Sequence, residues 1–389
     1  MVDSIAANYQ IILRDQTGEK VALFDNWGSL DYGLSVNGID YYNLTFMDTE
    51  DPRFDMFELD SQVEILRTVP GCGLDWYLEL EAFHRKPQRK TNKSGVKVFT
   101  SHGVGYNDLL ARTCIAYKAG TVYADKSGPA DNVMKAYVLE NCGYQAAGSV
   151  RRFDLNEDPL LTNWVQVPGI LPGFSVQGNS GDGDTWSGSR AFENLMDVLR
   201  DLADFSNIDF KVVGTGEAEF EFRTYVDQYG LDRTEGNPDG NDAVIFDVLY
   251  GNVQDAEYTI DRTSESNVVL ILGKGEASTR YVVPRSFATK NDSPWNRREI
   301  SRPATSQEFL AQMQDYGDEI LEGTAAKTTY KFNPLQQPSG LYGLHYAIGD
   351  MVTVQYGSLK QSKKIVGIKV KVKDEEQITL EFADVSSLI

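Results

Sequence analysis

The residues of this 389-residue chain that could do chemistry are mostly acids: 57 Asp and Glu stand against 37 Lys and Arg, with only three histidines and three cysteines. Paired carboxylates suit glycoside hydrolysis, where one protonates the leaving oxygen and the other serves as base or nucleophile. The inviting place is GDGDTW, in which Asp182 and Asp184 flank the approach to Trp186, a ring that could stack on a sugar. The plainer reading is a turn, because Gly-Asp-rich loops are common and this one lacks the further acidic and glycine positions of an EF-hand. NPDGND at 237–242 invites a calcium ion on equally thin grounds. His84, His102 and His345 are scattered, and Cys72, Cys114 and Cys142 lack CxxC spacing, so the cysteines read as small buried residues. No HExxH, GxSxG or GxxxxGK[ST] pattern occurs. The expectation is a protein that is not an enzyme and holds no cofactor and no metal.

Charge narrows the partners. A net charge of −20 and a pI near 4.6 disfavour tight binding to phosphate backbones and to anionic membrane surfaces. Lys86, Arg89, Lys90 and Lys93 form one basic cluster without interleaved aromatics. It reads as a solvated loop or a contact to an acidic neighbour rather than a nucleic-acid surface. Arg151 and Arg152 resemble an anion site only superficially, since adjacent strand residues point to opposite faces. Trp295, in SPWNRRE, reads as a loop anchor or an interface residue. The start, MVDSIAANYQ, has no basic and apolar leader, and no run approaches the roughly 18 apolar residues of a membrane helix. A soluble protein made in a cytoplasm, without membrane insertion, is expected.

The elements that must position these residues are mainly strands. YQIILRD, KVALFD, LDYGLSV, YYNLTFM, SQVEILRTV, WYLELEAFHRK and GVKVFTS alternate with period two and crowd the first hundred residues, as in a small barrel or sandwich. Within SQVEILRTVPGCGLDWYLELEAF, Trp76, Leu78 and Leu80 fall on one face and Glu64, Glu79 and Glu81 on the other. Residues 88–97 read as a basic hairpin tip or loop. Helices are expected at YNDLLART, at ADNVMKAYVLENCG, at SGSRAFENLMDVLRDLADFS with Ser189 as cap, and at TSQEFLAQMQDYGDEILEG. IDFKVVG and AEFEFRTYV read as adjacent strands, DAVIFDVLY as a strand, and the last two strands as a hairpin turning at Lys373–Glu376. The fold class is mixed α+β and β-dominated. The expected domains are an N-terminal β-barrel at 1–104, an α+β domain at 105–240, and a second β-barrel at 241–389 with a helical insert near 285–328.

Several segments, taken in order, resemble the hub proteins at the baseplate or tail tip of tailed bacteriophages. They are EILRTVP followed by WYLELEAFHRK, then GYNDLLARTCIAYKAGT with Leu109, Leu110, Arg112, Tyr117, Ala119 and Gly120, then ADNVMKAYVLENCG, FDVLYGNVQDAEYTIDR, SPWNRREI and YAIGDMVTVQ with Gly349 and Asp350 before a strand. The resemblance implies two small β-barrels with α+β domains between and beside them. It also implies a homotrimeric ring at the virion tail tip that joins a tail tube or distal tail protein to a spike or fibre. Such a ring surrounds the genome-exit channel, through which DNA passes without specific binding. The family carries no shared catalytic residues. On this reading Glu64, Glu79, Glu81 and Trp295 are candidates to face a neighbouring subunit or the channel; an ordinary solvated strand face is the plain alternative for the glutamates. The competing functions are a cell-wall or polysaccharide-degrading enzyme, or a carbohydrate-binding module, of a phage tail.

Overall fold

Alternation of apolar and polar residues puts one face of each early strand inward, and that face makes the core. The computed structural model describes residues 6–47, 52–116, 121, 123–146, 152–154, 164–166, 169–304, 310–337 and 340–384. Its first strands are β1 (Asn8–Arg14), β2 (Lys20–Phe24), β3 (Ser29–Ser35), β4 (Tyr41–Met47), β5 (Gln62–Val69), β6 (Leu74–Thr91) and β7 (Lys97–Gly105). Tyr9, Ile11 and Leu13 of β1 are buried at alternate positions, as are Tyr42, Leu44 and Phe46 of β4. Residues 88–91 continue β6, so the hairpin tip is the short turn at 92–96.

The next stretch mixes helices with short strands: α1 (Asp108–Ala111), β8 (Ala124–Pro129), α2 (Ala130–Asn141), β9 (Arg152–Asp154), β10 (Trp164–Gln166), β11 (Phe174–Val176), β12 (Thr185–Arg190), α3 (Leu195–Ser206), β13 (Ile208–Gly216) and β14 (Glu219–Val226). Helices α2 and α3 bury Met134, Tyr137, Val138, Leu195, Leu199 and Leu202 in one core with Phe210 and Phe222 of the β13–β14 pair. The helix expected to start near Ser189 starts at Leu195 instead. Residues 185–190 pair with β8, Phe192 takes a left-handed φ of +63°, and the Asn194 side chain accepts the Met196 N–H at 3.0 Å. A cap chosen by its side-chain acceptor decided the boundary, five residues after the first candidate. Tyr117, Ala119, Gly120 and Arg151 lie outside the described residues, as does the side chain of Arg152.

The remaining elements are β15 (Asp232–Arg233), β16 (Ile245–Phe246), β17 (Val253–Asp261), β18 (Val268–Leu272), β19 (Val282–Ser286), β20 (Glu299–Pro303), α4 (Leu310–Gly323), β21 (Lys327–Pro334), β22 (Met351–Tyr356), β23 (Leu359–Val372) and β24 (Glu376–Asp384). DAVIFDVLY is mostly not a strand: β16 holds two residues, and a 3-10 turn at Val248–Tyr250 follows, capped where the Asp247 side chain accepts the Leu249 N–H at 2.9 Å.

Twelve strands share one sheet in the order β15-β22-β23-β3-β4-β7-β6-β5-β1-β2, with β16 added on β22 and β24 on β23. The strands expected to form two separate barrels therefore meet in this sheet, with Ile368 of β23 opposite Leu34 of β3. The sheet curls strongly. β1 and β3 have four strands between them, yet the Tyr9 and Tyr32 hydroxyls lie 3.4 Å apart, and Phe24 of β2 sits 5.1 Å from Phe46 of β4. Phe24, Phe46, Phe54, Phe57 and Phe99 fill one part of the enclosed space.

The chain divides into two compact units, Met1–Gln254 with Asn333–Ile389, and Asp255–Phe332. Within the larger unit the pairing of β23 with β3 returns the C-terminal strands to the N-terminal sheet. In the smaller unit α4 packs on the β19-β18-β20 sheet through Met313 and Leu321 against Val269, Ile271 and Val283. Gly317 lets that helix approach: a Cβ there would meet Arg285 Cγ at 2.7 Å.

Candidate assembly surfaces and the polar centre of the sheet

A one-residue bulge sets the interior of the larger unit. Ile65 of β5 lies opposite Leu80 while its neighbour Leu66 lies opposite Leu78, so Glu79 is the extra residue of β6. Because side chains alternate with period two, one extra residue exchanges the faces beyond it. Leu80 turns into the core at 2% exposure, whereas Trp76 and Leu78 stay on the outside at 44% and 46%. The single apolar face expected for these three residues is thus split. Glu79 points inward, where it accepts hydrogen bonds from the Tyr32 hydroxyl at 3.0 Å and from the Tyr342 hydroxyl. Burial raises its pKa, and the tyrosine donors pull it partly back.

Beside Glu79 sits a fully buried arginine. Arg67 donates to both oxygens of Glu376, at 2.8 and 2.9 Å, to the Tyr342 carbonyl at 2.9 Å, and to the hydroxyls of Tyr9 and Tyr77 at 3.1 and 3.2 Å. Tyr9 in turn donates to Glu376. Burial pushes Tyr9, Tyr32, Tyr77 and Tyr342 upward, so all four remain protonated donors. Four hydroxyls, two carboxylates and one guanidinium satisfy one another, which is what a buried charge requires. The arrangement clamps strands together.

Glu81 and Glu64 face each other across β6 and β5. Glu64 takes Arg14 at 2.5 Å, and Glu81 accepts the Gly214 N–H at 3.2 Å, covered by β13. Burial raises the Glu81 pKa, with the Gly214 hydrogen bond opposing and Glu64 adding to the rise. A Cβ at position 214 would lie 2.3 Å from Glu81 Oε1, so glycine makes this contact possible. None of the three glutamates expected on a free face has one. The bulge draws Glu79 inside, β13 covers Glu81, and Arg14 occupies Glu64.

The GDGDTW loop has a local task. The carbonyls of Asp184 and Asp182 accept the N–H groups of Ala130 and Asp131, at 2.9 and 3.3 Å, which closes the start of α2. Trp186 packs edge-on against Tyr137, with ring centroids 6.2 Å apart, and Arg190 lies 5.6 Å from its centre. A stacking sugar would have to displace both. In the open cleft of about 630 Å³ near α3, Asp209 is already engaged by Lys364 at 2.6 Å, the Tyr229 N–H at 2.6 Å and Asn37 at 3.1 Å. Among the described residues no group of three His, Cys, Asp or Glu could hold a metal ion, and no helix is long and apolar enough to cross a membrane.

His84 is buried with Nδ1 2.7 Å from Ser101 Oγ, and burial lowers its pKa to about 4. The cysteines are free thiols, but only Cys142 is buried; Cys72 is half-buried and Cys114 exposed, against the expectation of three buried residues. The outward-facing features are different ones. Trp295, in the smaller unit, is 89% exposed. In the larger unit the basic β6–β7 tip and the turn Val248–Tyr250 are exposed. The tip was legible as a cation run, whereas nothing in DAVIFDVLY signalled that Val248, Leu249 and Tyr250 would leave the strand.

The fold has relatives among solved structures. It is similar to the 43 kDa tail protein of prophage MuSo2 from Shewanella oneidensis, with TM-score 0.59 and 10% identity over 97% of this chain and 98% of that one. It is similar to the tail protein from Neisseria meningitidis MC58, with TM-score 0.57 and 10% identity over 97% of each chain. A chain of the Francisella PdpA-VgrG complex matches with TM-score 0.54 and 12% identity, over 98% of this chain and 53% of that one. No curated protein matches the sequence. At 10–12% identity these likenesses show the fold. The family model described as Siphovirus ReqiPepy6 Gp37-like protein matches residues 12–382, and the chain belongs to that family.

Proposed function

We propose that the chain is a tail-tip hub of the virion: a homotrimeric ring that joins a tail tube or distal tail protein to a spike or fibre and surrounds the genome-exit channel. The observation that carries this reading is the likeness in fold to two tail proteins, one of them from a prophage, over 97–98% of both chains. The net charge of −20 suits a channel wall that DNA slides past without specific binding. Trp295, exposed on the smaller unit, is assigned to contact with a neighbouring tail protein, because a protruding indole supplies large apolar area at an interface. We propose no catalysis, since the GDGDTW loop serves α2 through the backbone carbonyls of Asp182 and Asp184 and the ring of Trp186 is packed against Tyr137. The test is antibody-gold labelling of particles that carry the protein. Label confined to the tail tip is expected; label along the tail shaft or on the head contradicts the reading.

A further inference from the structure

Arg85–Lys97 holds six cations and no acid, in a chain whose net charge is −20. Arg85 and Arg89 are paired with Asp60 and Asp55. Lys86, Lys90 and Lys93 are exposed and make no ion pair among the described residues. Lys86 lies opposite His102 and Lys90 opposite Val98, so both share one face of β6. Val98 in turn lies opposite Met47, which is 55% exposed, and Val96 beside the tip is 39% exposed. The tip is preformed: the Asn92 side chain accepts the N–H groups of Ser94 and Val96, each at 2.9 Å, and Gly95 supplies a φ of +80°. The hairpin end is a rigid arm that is basic with an apolar flank.

The opposite chemistry sits on the β15/β16 edge of the same sheet. The loop joining these strands exposes Asp239 and Asp242, and the turn after β16 exposes Val248, Leu249 and Tyr250 at 53%, 82% and 61%. That turn is also fixed in advance. Asp247 caps it, Gly251 takes a φ of +67°, and the Asn252 side chain accepts the Asp247 N–H at 3.0 Å and donates to the Ile245 carbonyl at 2.7 Å. A rigid acidic and apolar edge thus stands in the same chain as a rigid basic and apolar arm.

We propose that the β6–β7 arm of one copy docks on the β15/β16 edge of a second copy. Lys86, Lys90 and Lys93 face Asp239 and Asp242, while Met47 and Val96 cover part of Val248–Tyr250. Two different patches of one chain meeting in this way make a head-to-tail contact, which closes into a ring when the rotation permits. The inference rests on the ring reading above and names the surfaces that build it. A second copy fits better than nucleic acid. No aromatic residue lies between 85 and 97 to stack on a base, Asp55 and Asp60 stand within the cluster, and the rest of the chain repels phosphate.

The test compares four full-length proteins by sedimentation velocity across concentration, at low and moderate salt: wild type, Lys86→Glu/Lys90→Glu/Lys93→Glu, Asp239→Lys/Asp242→Lys, and the combination. Each reversal alone is expected to weaken self-association by about tenfold or more, with the combination recovering most of it and salt weakening the wild type. Thermal unfolding monitored in parallel should be unchanged, and Lys→Gln replacements at the same three positions should weaken association in the same direction. Rings that ignore both reversals overturn the inference and leave the hub reading standing. A wild type that stays monomeric throughout overturns the inference, and absence of rings on intact tail tips would overturn the hub reading as well. Duplex DNA retained by the wild type and lost on lysine reversal, with self-association unchanged, would assign the arm to nucleic acid instead.

Discussion

Arg67 on β5 and Glu376 on β24 are 309 positions apart in sequence, yet the guanidinium grips both carboxylate oxygens, at 2.8 and 2.9 Å, with the two side chains 1% and 6% exposed. The pair ties the early strands of the larger unit to its last strand. A buried ion pair is weak evidence of net stability, but removing one partner strands a charge in the interior.

Arg67→Ala should therefore lower the unfolding free energy by about 3–5 kcal/mol. It should also separate the melting of β22–β24 from that of β1–β7 in hydrogen exchange. Denaturant titration of the two proteins checks the first point. A loss below about 1 kcal/mol would mean that the clamp is incidental.

His84 gives a pH dependence with a definite sign. Its folded-state pKa of about 4 is below the ordinary value of 6.5, so between those values the unfolded chain takes a proton that the folded chain refuses. Stability from this group is complete above pH 6.5 and is lost as pH falls toward 4. The slope it contributes is at most about 1.4 kcal/mol per pH unit. His84→Asn should flatten the stability curve in that window, whatever it costs at neutral pH. Parallel curves for the two proteins would contradict the assignment.

The first seven strands could be read from the sequence because alternation with period two is a local signal, and so could α2 from its apolar spacing. The polar centre could not. Whether Glu79 faces out or in depends on one extra residue between Leu78 and Leu80, and period-two counting cannot see a bulge that the partner strand creates. The partnership of β3 with β23 was equally hidden, since pairing between segments more than 300 residues apart leaves no mark in either segment. Ser189 and Asn194 are both good cap residues by type, and only the left-handed Phe192 between them settles which one is used.

For the GDGDTW loop the backbone matters and the carboxylates do not. Asp182→Asn and Asp184→Asn should each change stability by less than about 0.5 kcal/mol, because their carbonyls make the contacts with α2. Gly183→Ala should cost about 1–3 kcal/mol, since φ is +82° there and a Cβ would approach Ser206 Oγ to 2.6 Å. Thermal melts of the three variants decide it. Hydrolysis of a cell-wall glycan by the wild type, abolished by the Asp changes, would reverse the conclusion.

Trp295→Ala should leave the melting temperature of the purified protein within error, because the side chain is 89% exposed. Incorporation into tails should fall. Equal amounts of wild type and variant in purified particles would remove Trp295 from the interface.

The central claim is a ring of three copies. The most direct measurement is mass by light scattering after gel filtration across concentration, with electron microscopy of the assembled species. The account predicts a species of three chains that images as a closed threefold ring with a central hole. A closed species of another copy number, or a compact trimer with no hole, would contradict it.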